Sequence, residues 1–225
     1  MSLHSNKFLF VVIFIGIYAF VSCKKEDAPR PLQSGTYFYS KVGDIGSVRM
    51  FTKLGEVKDQ NLINTYKVKY AKQLNADSLG GSSSDSLLVM DESNVKIGNK
   101  LYAVTKIDNY YQFRSIDTVR YAGQMSQVTY NIMKYKPYYS NTPFVTSSGF
   151  SNLITTFYYN YVAVTADGLA LPMINYVDVY SNGPNGSYSY TAIGGLNNVF
   201  DDKFPVDILK YDTLIVQTYN LHVKR

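Results

Sequence analysis

ITTFYYNYVAVTADGLALPMINYVDVY, residues 154–180, decides the fold. Its two runs, 154–165 and 169–180, are built from tyrosine, β-branched and aliphatic residues, the side chains that fit a pleated, half-buried surface. Ala166-Asp167-Gly168 joins them. An Asp-Gly step between two such runs signals an antiparallel hairpin, because glycine accepts the backbone angles that a tight reversal needs.

Short alternating runs of the same kind recur on both sides of this hairpin. Residues 36–42 and 47–53 read as the first two strands, with Gly43-Asp44 as their turn. Residues 95–97 and 101–104 flank Gly98-Asn99 as a second tight hairpin, and 110–115, 118–122 and 127–135 continue the series. Asn182-Gly183-Pro184-Asn185-Gly186 reads as a turn, and 213–223 as a long closing strand. Many short strands separated by turn residues predict an antiparallel β-sandwich or a lipocalin-like barrel, and alternation alone does not separate the two. One segment reads as helix. Asp59 is placed to cap a turn in which Leu62, Tyr66, Tyr70 and Leu74 recur every four residues, with Ile63 beside them. The Gly/Ser-rich stretch 78–84 then reads as a flexible loop. The expected fold is all-β, antiparallel, with one short helix near residues 59–74.

The N-terminus has a different character. Residues 1–7 carry one cation and no acid, residues 8–20 are apolar throughout, and Ala19, Ser22 and Cys23 are small. This is the layout of a secretory signal peptide. A membrane-spanning helix needs roughly 20 apolar residues, and this run stops short before Lys24-Lys25-Glu26-Asp27. Phe20-Val21-Ser22-Cys23 resembles the lipobox of bacterial lipoprotein precursors, departing from it in having Phe20 where leucine is usual. The resemblance implies cleavage before Cys23 and acylation of its sulfur with a diacylglycerol, with a further N-acyl chain. Lys24-Lys25-Glu26-Asp27 resembles the signal that sends some lipoproteins of the Bacteroidota to the outer face of the outer membrane. Residues 1–22 are then the signal peptide, 23–35 a disordered lipidated tether, and 36–225 a single all-β domain.

Removing that leader leaves a chain of about 200 residues, long enough to bury roughly 70% of its unfolded surface in one core. Loss of Lys7 lowers the formal charge from +5 to +4, and the cations are scattered apart from Lys67, Lys69 and Lys72. A nucleic-acid binder would concentrate them in register with exposed aromatics. Cys23 is the only cysteine, so once acylated it leaves no thiol for disulfides, catalysis or metal binding. His4 departs with the leader and leaves His222 alone, which excludes a multi-histidine zinc site and makes His222 the one base available to a serine or threonine nucleophile. Its place in the closing strand, opposite Leu221 and Val223, reads as a solvent-facing strand histidine.

Glycoside hydrolysis needs only two carboxylates. The adjacent acids Asp91-Glu92 and Asp201-Asp202 point to opposite faces and read as solvated loop residues. No Asp-x-Asp-x-Asp-Gly calcium loop exists, and Ile193-Gly194-Gly195-Leu196 reads as a turn rather than a phosphate cradle. No cofactor or metal site is predicted. The chain has 22 tyrosines and no tryptophan. Strand content explains most of these tyrosines, while Tyr37, Tyr39, Tyr110, Tyr111, Tyr138, Tyr139, Tyr158, Tyr159 and Tyr161 are candidates for stacking on a sugar or a protein partner. Asp77-Ser78-Leu79 and Asp85-Ser86-Leu87 resemble the O-glycosylation acceptor pattern of the Bacteroidota, which implies Ser78 and Ser86 as sites; Asp117-Thr118-Val119 and Asp212-Thr213-Leu214 share the pattern. The expectation is a noncatalytic binding or interaction module, membrane-attached through its N-terminal lipid, with a protein or glycan partner and no nucleic acid. Residues 141–149 and 182–186 are the candidate contact loops. The alternative is an envelope glycan hydrolase using paired carboxylates.

Overall fold

The computed structural model describes residues 30–75, 86–123, 126–146, 149–181, 189–204, 208 and 210–225. Eight strands form a closed antiparallel barrel: β1 (Gly35–Gly43), β4 (Ser86–Val89), β5 (Asn94–Ile97), β6 (Lys100–Ile107), β7 (Tyr110–Ala122), β9 (Gly149–Val164), β10 (Gly168–Ser181) and β12 (Thr213–Lys224). Each pairs with the next in this series, and β12 returns to β1 through Phe38↔Lys224 to Gly43↔Asn220. Closure removes the open edges that a sandwich would have had to protect. Three excursions interrupt the circuit. The first holds β2 (Arg49–Thr52), β3 (Gly55–Glu56) and helix α1 (Gln60–Lys69); the second holds helix α2 (Gln127–Asn131) and β8 (Tyr139–Thr146); the third is β11 (Ser189–Asn197).

The hairpin that opened the sequence reading forms as expected, with Thr165 N donating to Gly168 O at 2.9 Å. Gly168 has φ +155°, and a Cβ there would lie 2.1 Å from Val223 O, so both backbone angle and space demand glycine. After only two pairs, Leu169↔Val164 and Ala170↔Ala163, the two strands separate. β9 then takes β8 as its neighbour and β10 takes β11. The barrel is thus closed at one end and split at the other.

Three apolar cores follow. Tyr37, Val89, Val95, Tyr102, Phe113, Val162 and Leu169 fill the barrel, and Leu32 joins them. Val95, Phe113 and Val162 have no exposed surface, so no water-sized space adjoins them. The interior-facing side of β10 and β12 continues beyond the barrel, where the cross-strand row Val177–Ile215–Met50 is covered by Ile63, Tyr70 and Leu74 of α1 and its C-terminal turn. The opposite face of the same strands, Ile174, Leu214 and Val216 with Phe51 of β2 beside Leu214, is covered by Ile132, Met133, Phe204 and Ile208.

Several expectations are corrected. Asp59 does cap α1, accepting from Asn61 N (2.9 Å) and Leu62 N (3.3 Å), but Leu62 is exposed and Ile63 is the residue that packs inward. A strict four-residue repeat drifts around a helix of 3.6 residues per turn, so a stripe drawn through Leu62 leaves the buried face. Part of residues 127–135, expected as strand, is helical: Ser126 accepts from Thr129 N at 3.3 Å and starts α2. The loop expected at 141–149 is a hairpin, with β8 paired to β9 from Tyr139↔Thr156 to Thr146↔Gly149. The turn expected at Ile193–Leu196 lies within β11, where Gly194 opposes Tyr176 and a Cβ would meet its ring. Residues 30–34, read as tether, belong to the barrel: Leu32 is buried, and the carbonyls of Arg30 and Gln33 accept from Tyr111 and Tyr37. Residues 1–29, including Cys23, as well as Ser78 and 182–186, lie outside the described residues.

Candidate functional site

The split produces the most chemically varied surface. Where β9 and β10 part, the amide of Asn197 takes over from the ladder, donating to Pro172 O (3.0 Å) and Tyr161 O (3.3 Å) and accepting from Tyr161 N. Asn198 does the same for the next segment, accepting from Tyr135 N (3.1 Å) and donating to Tyr135 O (2.8 Å). Buried peptide groups are nearly always paired, and here two side-chain amides pair them. Tyr135 stacks on the fully buried Tyr161 with 5.0 Å between centroids, and its hydroxyl donates to Asp108 at 2.9 Å. Burial is the main reason that the Tyr135 phenol is pushed up to about 12, with Asp108 adding to it.

Beside this seam, on the outward face of β10 and β12, runs a groove of about 250 Å³. Phe51, Phe200 and Phe204 form a cluster with centroids 5.0 to 6.1 Å apart at one side of it. The Arg49 guanidinium lies 5.1 Å from both the Phe51 and Phe200 centroids. Glu56 accepts from Arg49 Nε at 2.8 Å and Asp202 accepts from Nη1, which fixes the plane of the guanidinium. The Arg49 hydrogen bond, with Lys58 second, holds the Glu56 carboxyl below its usual range. Asp44, a non-glycine residue at φ +50°, lines the groove opposite. It accepts from Asn220 Nδ2 at 2.9 Å and sits 3.0 Å from His222 Nε2. The Asn220 bond, then His222, lowers its carboxyl.

His222 is therefore a partly covered partner of Asp44 rather than a free solvent-facing residue, and among the described residues no serine or threonine hydroxyl bonds to it. Asp91 accepts from Ser93 N and Asn94 in the β4–β5 turn. Asp201 and Asp202 diverge as expected, Asp201 accepting from Lys203 N while Asp202 bonds Arg49. Asp44 and Asp202 face one groove and are each already engaged by donors, while Asp91 and Glu92, expected to point apart, line a second pocket together beside Arg225. The carboxyl that is raised, Asp178, faces no groove. It is 1% exposed, buried beside the Tyr180 hydroxyl. Burial pushes it up and the charge of nearby Asp212 adds to this, the Tyr180 hydroxyl opposing only in part. No group of three or more His, Cys, Asp or Glu suited to a metal exists among the described residues.

The tyrosines divide along the same lines. Tyr37 and Tyr161 are core residues, Tyr110 lines the groove, and Tyr138 and Tyr158 are exposed, the latter under Lys100 Nζ at 3.6 Å. Ser86, which follows the stretch read as a flexible loop, begins β4 opposite Phe38 and is exposed. Arg49, Asn198 and Phe200, which build the groove and its seam, carry no motif and come from segments far apart in the chain, Arg49 lying 153 residues before its partner Asp202. A scan of protein-family models, a search of curated proteins and a search of solved structures each find no match to this chain.

Proposed function

We propose that the protein is a lipid-anchored component of the cell envelope, held at the outer membrane through acylated Cys23, and that its barrel is a noncatalytic binding module presenting the Arg49 groove to a protein or glycan partner. The leader and the lipobox-like Phe20-Val21-Ser22-Cys23 support the anchor. One observation carries the binding reading: the groove sets Phe200, the edge of an otherwise buried aromatic cluster, beside a guanidinium held flat, while each acid facing it is already bonded to a donor. Such a surface offers stacking and oriented polar contacts. Both acids facing it, Asp44 and Asp202, already accept bonds from side-chain donors, unlike the free acid that glycoside hydrolysis places beside its leaving group.

Two experiments test this. Cys23→Ala should abolish incorporation of radiolabelled palmitate and release the protein into the soluble fraction; label retained in the variant overturns the anchor. Purified acylated protein mixed with peptidoglycan and envelope polysaccharide should cosediment with its ligand, lose that cosedimentation in Arg49→Ala, and release no reducing ends. Reducing ends that disappear in Asp202→Asn would establish the hydrolase instead.

A further inference from the structure

The barrel wall opposite the split carries an apolar band on its outside. Strand alternation sends Tyr37, Leu87, Val95 and Tyr102 inward, and polar residues are expected on the outward positions between them. Phe38, Leu88, Leu101 and Ile116 are there instead, at 48%, 37%, 43% and 52% exposure. The register makes them contiguous. Phe38 on β1 is diagonal to Leu88 on β4, through the pairs Thr36↔Leu88 and Phe38↔Ser86. Leu88 opposes Lys96 on β5, Lys96 opposes Leu101 on β6, and Ile116 on β7 lies one step past the Tyr102↔Ser115 pair, beside Leu101. Four inter-strand steps of about 4.8 Å make this band roughly 19 Å long. Lys96 lies within it, Lys224 opposes Phe38 and is paired with Asp167 at 3.8 Å, and Arg114 opposes Ala103 beside it; Asp117, next to Ile116, is a further acid at the band. On the β10–β12 wall the outward apolar residues are covered by a second layer of chain; this band is not.

We propose that this wall lies on the anionic surface of the bilayer, with Phe38, Leu88, Leu101 and Ile116 entering the interface and Lys96, Lys224 and Arg114 meeting phosphates. The inference rests on acylation of Cys23. Only seven residue steps separate Cys23 from Arg30, a reach of at most about 25 Å. Arg30 is fixed against the barrel by Tyr111 at 3.3 Å, and the chain runs from there through buried Leu32 into β1, the strand that bears Phe38. A lipid on so short a leash keeps the end of the barrel where Arg30 sits within about 25 Å of the membrane, and β1 and β7, which bear Phe38 and Ile116, both start at that end. A row of apolar side chains flanked by cations is what binds there, burying its apolar edge roughly 5 to 10 Å into the headgroup region.

Cys23 is the sole cysteine, so its acylation leaves the protein free for single-cysteine labelling. Acylated Leu88→Cys, Leu101→Cys and, as a control on β11, Ile193→Cys are labelled with an environment-sensitive fluorophore. Each is reconstituted on vesicles of phosphatidylglycerol and phosphatidylcholine, with and without a spin-labelled quenching lipid. The expected result is a blue shift and quenching at 88 and 101 and neither at 193, with both effects reduced on phosphatidylcholine alone. Protein that floats with the vesicles yet shows aqueous emission at 88 and 101 overturns the docked wall while leaving the anchor intact. Protein that does not float overturns both. A shift at 88 and 101 that follows protein concentration in detergent, without vesicles, assigns the band to a second copy and overturns the bilayer.

Discussion

The closed and split ends of the barrel are held together by different physics. At the closed end, backbone ladders run from strand to strand, interrupted by an irregularity between Tyr39 and Lys41, and enclose Val95, Phe113 and Val162, none of which has exposed surface. At the split end β9 and β10 part after two pairs, and the peptide groups left behind are satisfied by Asn197 and Asn198. Apolar burial is non-directional and tolerates small shifts, whereas an amide bonded to three backbone atoms must hold its position. A groove lined by directional groups needs the second kind of framework, and that is where the Arg49 groove lies.

The largest test of this contrast is Phe113→Ala. The side chain is fully buried in the barrel, and truncating such a phenylalanine costs about 3 to 5 kcal/mol. Urea unfolding should show one cooperative transition at lower denaturant, because the barrel core belongs to the whole circuit. A second, separate transition in this variant would mean that the split end folds independently of the closed one.

Asn197→Ala comes next. It strips partners from Tyr161 N, Tyr161 O and Pro172 O, and Tyr161 is fully buried, so water has no ready route to replace them. With about 1 to 3 kcal/mol for each buried group left unpaired and partial relaxation, a loss of about 2 to 4 kcal/mol is expected. Hydrogen exchange should accelerate in β9 near Tyr161 and in β11, while β4 to β6 keep their protection. Uniform acceleration would remove the distinction between the two ends.

Much of the closed end was legible in the sequence, and little of the split end was. Asp167-Gly168 and Gly98-Asn99 mark reversals that local chemistry alone imposes, and alternation around them placed β5, β6, β9 and β10 correctly. At the split, local signals mislead. Residues 141–149 look like a loop because Pro143 and Asn141 discourage central strands, yet β8 is an edge strand that tolerates them. The expected strand at 127–135 gives way to α2 because Ser126 is in place as an N-cap and Ile132 and Met133 are drawn into a core supplied by Phe51 and Phe204. Arg49 and Asp202 are brought together by topology, with no periodicity to announce it.

Asp178→Asn should act in the opposite direction, stabilising the split end. Folding holds the Asp178 proton more tightly than the unfolded chain does. Its favourable contribution is therefore complete below the ordinary carboxylate pKa and is lost as pH rises through the folded value. Above that value the wild type carries a buried charge beside Asp212, and the amide does not. The gain at neutral pH, where folding must either bury the charge or take up a proton, should vanish in acid. Melting temperatures of both proteins from pH 3 to 8 would show it, and parallel curves would rule it out.

The smallest effect belongs to Ser115→Ala, at the seam between the two ends. Two extra residues bulge from β7 between Arg114 and Thr118, and the Ser115 hydroxyl repairs the ladder by accepting from Tyr158 N at 2.9 Å and donating to Asp117 O at 2.7 Å. Its chemistry matches that of Asn197, a side chain standing in for a missing strand neighbour, but its surroundings do not. Ser115 itself is buried, but its two partners belong to residues open to solvent, Tyr158 at 42% and Asp117, so water can reach those groups once the hydroxyl is gone. The loss should be about 1 kcal/mol, the net worth of an ordinary hydrogen bond. If Ser115→Ala costs as much as Asn197→Ala, solvent access is not what separates the two repairs, and strain in the bulge must be carrying the difference.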